Sequence, residues 1–593
     1  MSMRSILLLS AAIVLPQAAV AQDVFELDEA FVFSGLLPVE VNRTGSTVEV
    51  VEDEDLEGSE PGLENTLDRL PGVSVTSNGG LGTSSTIRVR GLDSKYVGVT
   101  FNGIEVTDPS STQTSLNFGS FTRGLVGRLE LAKGSQTTVY GSDAIAGAIN
   151  IETWRPEVDG RSGEAFAEVG SFGTFSGGLS YGYRDEAGEV ALTLTRTQTD
   201  GISARSAAAV ADDDAFEETG LSVSVRRNLT DSVTVGVTGF LTDGFSEFDQ
   251  SATDPVAQLD LTRTGVRAFA EVSGGDIEHE VGVSYFENDR NDLFSPFTNR
   301  FVGERLKLDY LGTVDLSATT SLAFGADWTE ETSTLDGVVS DASNGAIFGE
   351  LLHALGEATD LTLGLRHDLN SDFDDQTTAR LAVAHRASET MTYRASVGSG
   401  FRAPSLYERF GPFAPATTLS PESSIGGEIG VDAAYENASY GATVFYTEID
   451  DRIGFGTTTY VQAPGTTVAQ GVELSADWAV GTADVFAAYT YTDAATEGTR
   501  LLRVPRHDLA LGVSGNLSES LTAEVDVRAA YDTLDFGGPS DDFIVTNLTL
   551  TQALTDTTDA YLRVENIFDE DYETIPGFSM PGLSVFAGIR ASF

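Results

Sequence analysis

The sequence predicts an all-β membrane protein, an antiparallel transmembrane β-barrel of about 22 strands preceded by a compact mixed α/β domain. Three observations carry this prediction: an alternating final segment, the recurrence of that alternation over more than two-thirds of the chain, and an amino-terminal export pattern. In the final segment, Leu583, Val585, Ala587, Ile589, Ala591 and Phe593 share one face. Ser584, Gly588, Arg590 and Ser592 share the other, with Phe586 as the exception. Successive strand residues point to opposite faces, and about 9–11 tilted residues cross a bilayer. The polar face of this strand is therefore expected to look into a lumen and the apolar face to meet lipid.

The same alternation appears at Leu322, Phe324, Ala326 and Trp328, at Val233, Val235 and Val237, and from Leu521 to Tyr531. Gly, Asp and Asn clusters punctuate these segments, the pattern of antiparallel hairpins. A region this long without helical periodicity exceeds a single sandwich and suits a large closed barrel. Arg4, the apolar run Ile6–Leu15 and Ala19-Val20-Ala21 form a secretory signal peptide, residues 1–21. Beyond it there is neither a cysteine nor a run of 18 apolar residues, so disulfides, a lipoprotein anchor and a transmembrane helix are not expected. Ninety acids against 35 bases give a formal charge of −55. Such a chain is not expected to bind nucleic acid, which needs clustered Lys and Arg.

Residues 22–45 read as an extended periplasmic leader, 46–155 as the mixed domain and 156–593 as the barrel. The mixed domain contains a helical stretch, Leu63 to Leu70, stopped by Pro71 and Gly72. Short strands such as Thr86 to Arg90 and Gly127 to Leu131 follow. Gly141 and Gly147 allow close backbone packing. They do not form a phosphate-binding loop, because no strand–GxGxxG–helix unit surrounds them.

The segments "LDEAFVFSG", "LENTLDRLPGVSV", "TIRVRGLDSKYVGVTFNGIEV" and "VGRLELAKGSQTTVYGSDAIAGAINI" resemble, in this order, the plug of TonB-dependent outer-membrane receptors. "GSGFRAPSLYERFG", "LSPESSIGGEIGVD", "GVELSADW", "LLRVPRHDL" and "LRVENIFDEDYET" resemble the barrel motifs of the same family. The length and these segments are most similar to its vitamin B12 (cobalamin) receptors. The resemblance implies that the mixed domain is a plug inside the lumen. It also implies that the protein sits in the outer membrane of a Gram-negative cell. The implied activity is energy-coupled uptake of a scarce bulky ligand, cobalamin first; a ferric siderophore, haem or another metal chelate is the alternative. Expected partners are TonB with its inner-membrane energising complex, the ligand, outer-membrane lipid and the barrel-assembly machinery. A monomer is expected.

The resemblance also assigns residues. Asp28, Glu29, Ala30, Phe31, Val32 and Phe33 fall at the TonB box. An extended segment there can add as a strand to a partner's sheet edge, with main-chain hydrogen bonds supplying the grip. Arg90 and Arg128 of the plug, with Glu428 and Glu473 of the barrel, are expected to form ionic locks, since charges inside a filled lumen need partners. Asp212, Asp214, Asp249 and Asp260 match the loop aspartates that bind calcium in cobalamin receptors. The Asp-x-Asp spacing lets two carboxylates meet one hard cation. No other cofactor is implied. Ser84, Ser85, Thr86, Asp93, Ser111 and Thr112 occupy the ligand-facing plug loops, where small hydroxyls suit the amide arms of a corrinoid.

An enzyme is not expected. The five histidines, His279, His353, His367, His385 and His507, show neither triad nor zinc spacing. A simple diffusion porin would leave the leader and the mixed domain without a use.

Overall fold

In the computed structural model the described residues are 31–32, 35–56, 60–205, 212–249, 257–293, 298–415 and 418–593. Predicted residues 1–21 lie outside them. A closed antiparallel barrel of 22 long strands runs from Gly160–Gly170 to Ser584–Ser592, each strand beside its neighbour in sequence. The first and last strands close the ring, with Glu164 opposite Ser592 and Gly170 opposite Phe586. Among the described residues no helix is long and apolar enough to cross a membrane; the crossing is made by strands.

Alternation along each strand sorts the two surfaces. Ile347, Ile429 and Val444 are 60–70 % exposed on the outer face, where lipid replaces water. Tyr435, Tyr440 and Trp478 cluster beside the short turn at Glu436, and the Trp478 indole donates to the Tyr440 hydroxyl. Such amphipathic rings suit a membrane–water interface. Short turns lie at this end of the barrel and long connections at the other, which by the rule for outer-membrane barrels makes this end periplasmic. On the final strand Val585 and Ile589 are exposed, whereas Ser584 and Phe586 are buried. The aromatic exception to the sequence alternation thus faces inward, beneath the Arg563 guanidinium at 4.7 Å.

The lumen is filled by the preceding domain. Its central sheet has the order Val48–Glu52, Arg128–Lys133, Gly147–Glu152, Val97–Phe101 and Ile104–Glu105, with Gly147–Glu152 parallel to Val97–Phe101. A second sheet joins Val73–Ser77, Ser85–Val89 and Leu92–Asp93. The helix covers Leu63–Leu67, shorter than the predicted Leu63 to Leu70. Arg69 and Leu70 instead hydrogen-bond to carbonyls three residues back, so the last turn tightens before Pro71. Leu63, Leu67, Val89, Phe101, Phe118, Leu131 and Ile149 form one apolar core that continues onto the wall through Phe240 and Phe286. Phe101 meets Phe240 edge-on at 4.7 Å.

Candidate functional site

The leader reaches the plug along the inner wall. Of the predicted Asp28–Phe33, only Phe31 and Val32 are described; their backbone pairs with Glu40 and Val39. Asp28, Glu29, Ala30 and Phe33 lie outside the described residues. Beyond this short ladder, Glu350 accepts the Leu36 N–H at 2.9 Å, and Arg43 meets Asp360 at 2.9 Å. Ser46 is held by Arg380 and Arg394. The Thr47 N–H and hydroxyl then both donate to Glu428, at 2.8 and 3.1 Å.

Glu428 leads to Arg90. The strands Glu422–Tyr435 and Thr467–Val480 flank Ala438–Asp450, so Glu428 stands beside Phe445 on one side and Glu473 beside Thr443, two residues along, on the other. Arg90, 3 % exposed, lies over the Phe445 ring at 4.8 Å. It donates twice to Glu473 at 2.9 Å and reaches Glu428 at 2.6 Å. Lys133 stands 3.6 Å from Glu473 and 2.8 Å from Glu49. Desolvation works against the charged Arg90, but its two carboxylates outweigh burial and raise its pKa. Backbone geometry makes room for the pair. Gly72 has φ +74°, and a Cβ there would fall 1.9 Å from the Glu473 carboxylate. The expectation for Arg128 is corrected: it pairs with Glu52 and Glu130 of the plug. Antiparallel register sets Glu52 directly opposite Arg128, and Glu130 shares its strand face.

At the outer end of the lumen, a cavity of roughly 550 Å³ lies between plug and wall. Ser84, Ser85, Thr86, Asp93, Ser111 and Thr112 all line it. Ser84 and Thr112 are exposed, whereas the Ser85 and Ser111 hydroxyls donate within the plug, to Ser77 and to the Asp108 carbonyl. The wall contributes Phe248, Arg263, Asn288, Arg290 and Phe301, and an outer loop adds Phe578.

A network that the sequence reading missed fixes the cavity's edge. The Tyr96 hydroxyl donates to Glu422 at 2.5 Å, and Lys95 lies 3.7 Å from the same carboxylate. Arg402 bridges Glu422 and Glu408, and Glu408 completes a capping box with Ser405 on the loop helix Leu406–Phe410. Burial, helped by nearby Arg402, lowers the Lys95 ammonium to about 8. The available signal was the pair of motifs "GSGFRAPSLYERFG" and "LSPESSIGGEIGVD", which carry Arg402, Glu408 and Glu422 of this network.

Among the predicted metal ligands, Asp214 accepts the Ala204 N–H and Asp249 the Arg205 N–H, which places their loops together. One oxygen of Asp212 and one of Asp249 are buried without a hydrogen-bond partner among the described residues. Burial, with Asp249 and Asp212 nearby, raises Asp214 to about 7. Asp260 is corrected: it is exposed on the strand Ala257–Gly274, while Leu259 and Leu261 on either side of it face the cavity. Strand alternation therefore turns Asp260 away. Among the described residues no three His, Asp or Glu side chains stand close enough to hold a metal ion. His507 bonds the Tyr489 hydroxyl at 2.8 Å and stacks on its ring, a wall contact.

A 22-stranded barrel stoppered by its own preceding domain, with an outward cavity above the stopper, defines a gated outer-membrane receptor. Residues 40–148 match the TonB-dependent receptor plug domain, and residues 153–567 match the TonB-dependent receptor-like β-barrel. The chain belongs to the TonB-dependent receptor family. It is 26 % identical to the vitamin B12 transporter BtuB of Photobacterium profundum, over 98 % of each chain. It is 24 % identical to BtuB of Vibrio cholerae, over 93 % of each. Its fold is shared with the siderophore receptor PirA of Acinetobacter baumannii, at TM-score 0.78 and 15 % identity, covering 92 % of this chain and 98 % of that one. The ferric enterobactin receptor PfeA of Pseudomonas aeruginosa aligns at TM-score 0.79 and 16 % identity, covering 92 % and 99 %. These relatives and neighbours are transporters and receptors, not enzymes.

Proposed function

We propose that this receptor takes up cobalamin across the outer membrane. The observation that carries the reading is the character of the upper cavity. Its lining combines hydroxyls, aromatic rings and a nearly balanced set of charges: Arg88 is met by Asp93, Lys95 by Glu422 and Arg263 by Glu218. A bulky, nearly neutral polyamide suits such a surface. A multiply anionic ferric catecholate would call for surplus cations. The nearly full-length likeness to two vitamin B12 transporters supports the same choice.

In this reading, ligand settles on Ser84, Thr86 and Thr112, and Asp28–Phe33 is presented to the periplasm. That segment adds as a strand to a sheet edge of TonB, which pulls on it. The pull runs through Leu36, Arg43, Ser46 and Thr47 to Glu428, where Arg90 is also held. The Arg90–Glu428–Glu473 cluster acts as the lock of the plug, and its release opens a path through the lumen.

Asp212, Asp214 and Asp249 do not stand close enough together to hold a metal ion. A calcium ion would have to draw them together, and its charge suits the two buried unpartnered oxygens of Asp212 and Asp249. Calcium would join the two loops beside the cavity. Equilibrium binding of cyanocobalamin by the purified receptor, against a panel of ferric siderophores and with or without calcium, tests the proposal. Cyanocobalamin should bind, more tightly with calcium, and siderophores should not compete. A siderophore that binds where cyanocobalamin does not overturns it.

A further inference from the structure

Four cationic side chains line the upper cavity, and three are already neutralised. Arg88 lies 2.9 Å from Asp93, Lys95 lies 3.7 Å from Glu422, and Arg263 lies 3.8 Å from Glu218. Arg290, the fourth, has neither an ion pair nor a hydrogen bond among the described residues. Its guanidinium instead lies over the Phe301 ring at 4.2 Å. Phe301 is 9 % exposed and stacks on Tyr407 of the loop helix, 6.3 Å between centroids. Leu335, Leu419, Ile453 and Tyr460 pack into the same cluster. The platform beneath Arg290 is therefore fixed by packing, and the planar group on it has a set orientation.

The strand Ile277–Asp292 places Asn288 on the same face as Arg290, and the Asn288 amide donates to Asp108 of the plug at 2.9 Å. Arg290 thus stands one step outward from a plug–wall contact, at the side of the cavity. Asp292, two residues along the same face, also lines the cavity but makes no ion pair with Arg290. A half-buried guanidinium outside an ion pair is costly, and the cost is relieved when a ligand supplies the anion. Its fork matches two oxygens of one phosphate.

We propose that Arg290 is a specificity-determining residue that binds the phosphodiester of a nucleotide-bearing corrinoid. The proposal rests on the cobalamin reading above. The amide arms of such a ligand are uncharged and satisfied by the hydroxyls of the plug loops. Its phosphodiester is the acidic group, and the unpaired Arg290 is the complementary position on the wall.

The test is equilibrium binding of two probes to the purified full-length receptor. Cyanocobalamin carries the phosphodiester; dicyanocobinamide, which lacks the nucleotide and its phosphodiester, does not. Arg290→Gln should weaken cyanocobalamin by about 10- to 100-fold, the loss of a charge-assisted fork, and leave cobinamide within about twofold. Arg290→Lys should fall between, because it keeps the charge and loses the fork. It also decides the matter if the Gln variant fails to form a heat-modifiable barrel. Equal weakening of both probes, or of neither, overturns the assignment. So does displacement of both probes by inorganic phosphate, which would make the site one for the free anion. If the unaltered receptor binds neither corrinoid, the cobalamin reading falls and this inference with it. If it binds both and Arg290→Gln fails to separate them, this inference alone falls.

Discussion

Replacing Glu473 by alanine removes the carboxylate that takes two 2.9 Å hydrogen bonds from Arg90 and has Lys133 3.6 Å away. Both cations are buried, so the variant leaves positive charge in a site closed to water. Removing one member of a buried pair costs about 3–5 kcal/mol. Here Glu428 remains 2.6 Å from Arg90 and Glu49 remains 2.8 Å from Lys133. These contacts set the expectation near the lower end, about 3 kcal/mol, or about 150-fold in the equilibrium between seated and loosened plug. The chain has no cysteine, so Ala132→Cys supplies a single reporter thiol. Ala132 is 4 % exposed on the strand Arg128–Lys133, between Val48 and Ala148. Thiol labelling in mild urea should accelerate about 150-fold when Glu473→Ala is added. Asp289→Ala, which breaks the exposed pair with Arg300, should change labelling less than about fivefold. The Arg90→Ala, Glu473→Ala double variant should recover part of the loss, since the stranded charge leaves with the side chain. An acceleration below tenfold, or one matched by the Asp289 control, would refute the claim that this desolvated cluster seats the plug.

Deleting residues 28–33 should abolish uptake by cells and leave cyanocobalamin binding to the purified receptor unchanged; energised uptake by the deletion variant would refute the handle. Asp214 binds its proton more tightly in the assembled loops, at about 7 against an ordinary 3.8. Its contribution to loop stability is therefore full below about pH 4 and is lost as pH rises through about 7. Without calcium, proteolysis of the loop carrying Asp212 and Asp214 should be faster above neutrality than in mild acid, and millimolar calcium should remove the difference. Tyr96→Phe deletes the 2.5 Å hydrogen bond to buried Glu422. It should cost about 1–2 kcal/mol, visible as faster hydrogen exchange in the loop helix Leu406–Phe410 with the barrel otherwise intact.

The barrel was legible because strand alternation is local. A period of two can be read from a few neighbours, and it repeats across the wall. The cavity-lining plug residues were legible through family resemblance in contiguous motifs. What failed was whatever depended on register or on where a strand stops. Asp260 sits in sequence like a loop carboxylate, yet the strand Ala257–Gly274 includes it and alternation turns it outward. Arg128 was assigned to the wall because one of its partners, Glu52, is adjacent only once Val48–Glu52 pairs with Arg128–Lys133. Thr47 and Glu428 are 381 residues apart, and Tyr96 and Glu422 are 326 apart. No local pattern marks a hydroxyl or a phenol for a partner that distant.

The seam between Gly160–Gly170 and Ser584–Ser592 has a consequence for biogenesis. Glu164 and Ser592, opposite each other at the closure, are separated by 592 − 164 = 428 residues. Bringing such ends together costs about 5 kcal/mol of chain entropy before a seam hydrogen bond offsets it. The ring cannot close until its last strand has been exported, so a nearly complete chain must cross the periplasm with its sheet edges unsatisfied. Exposed edges and alternating apolar residues invite aggregation during that interval. A formal charge of −55 makes unfolded copies repel one another. The acidity of this sequence then serves the journey to the membrane.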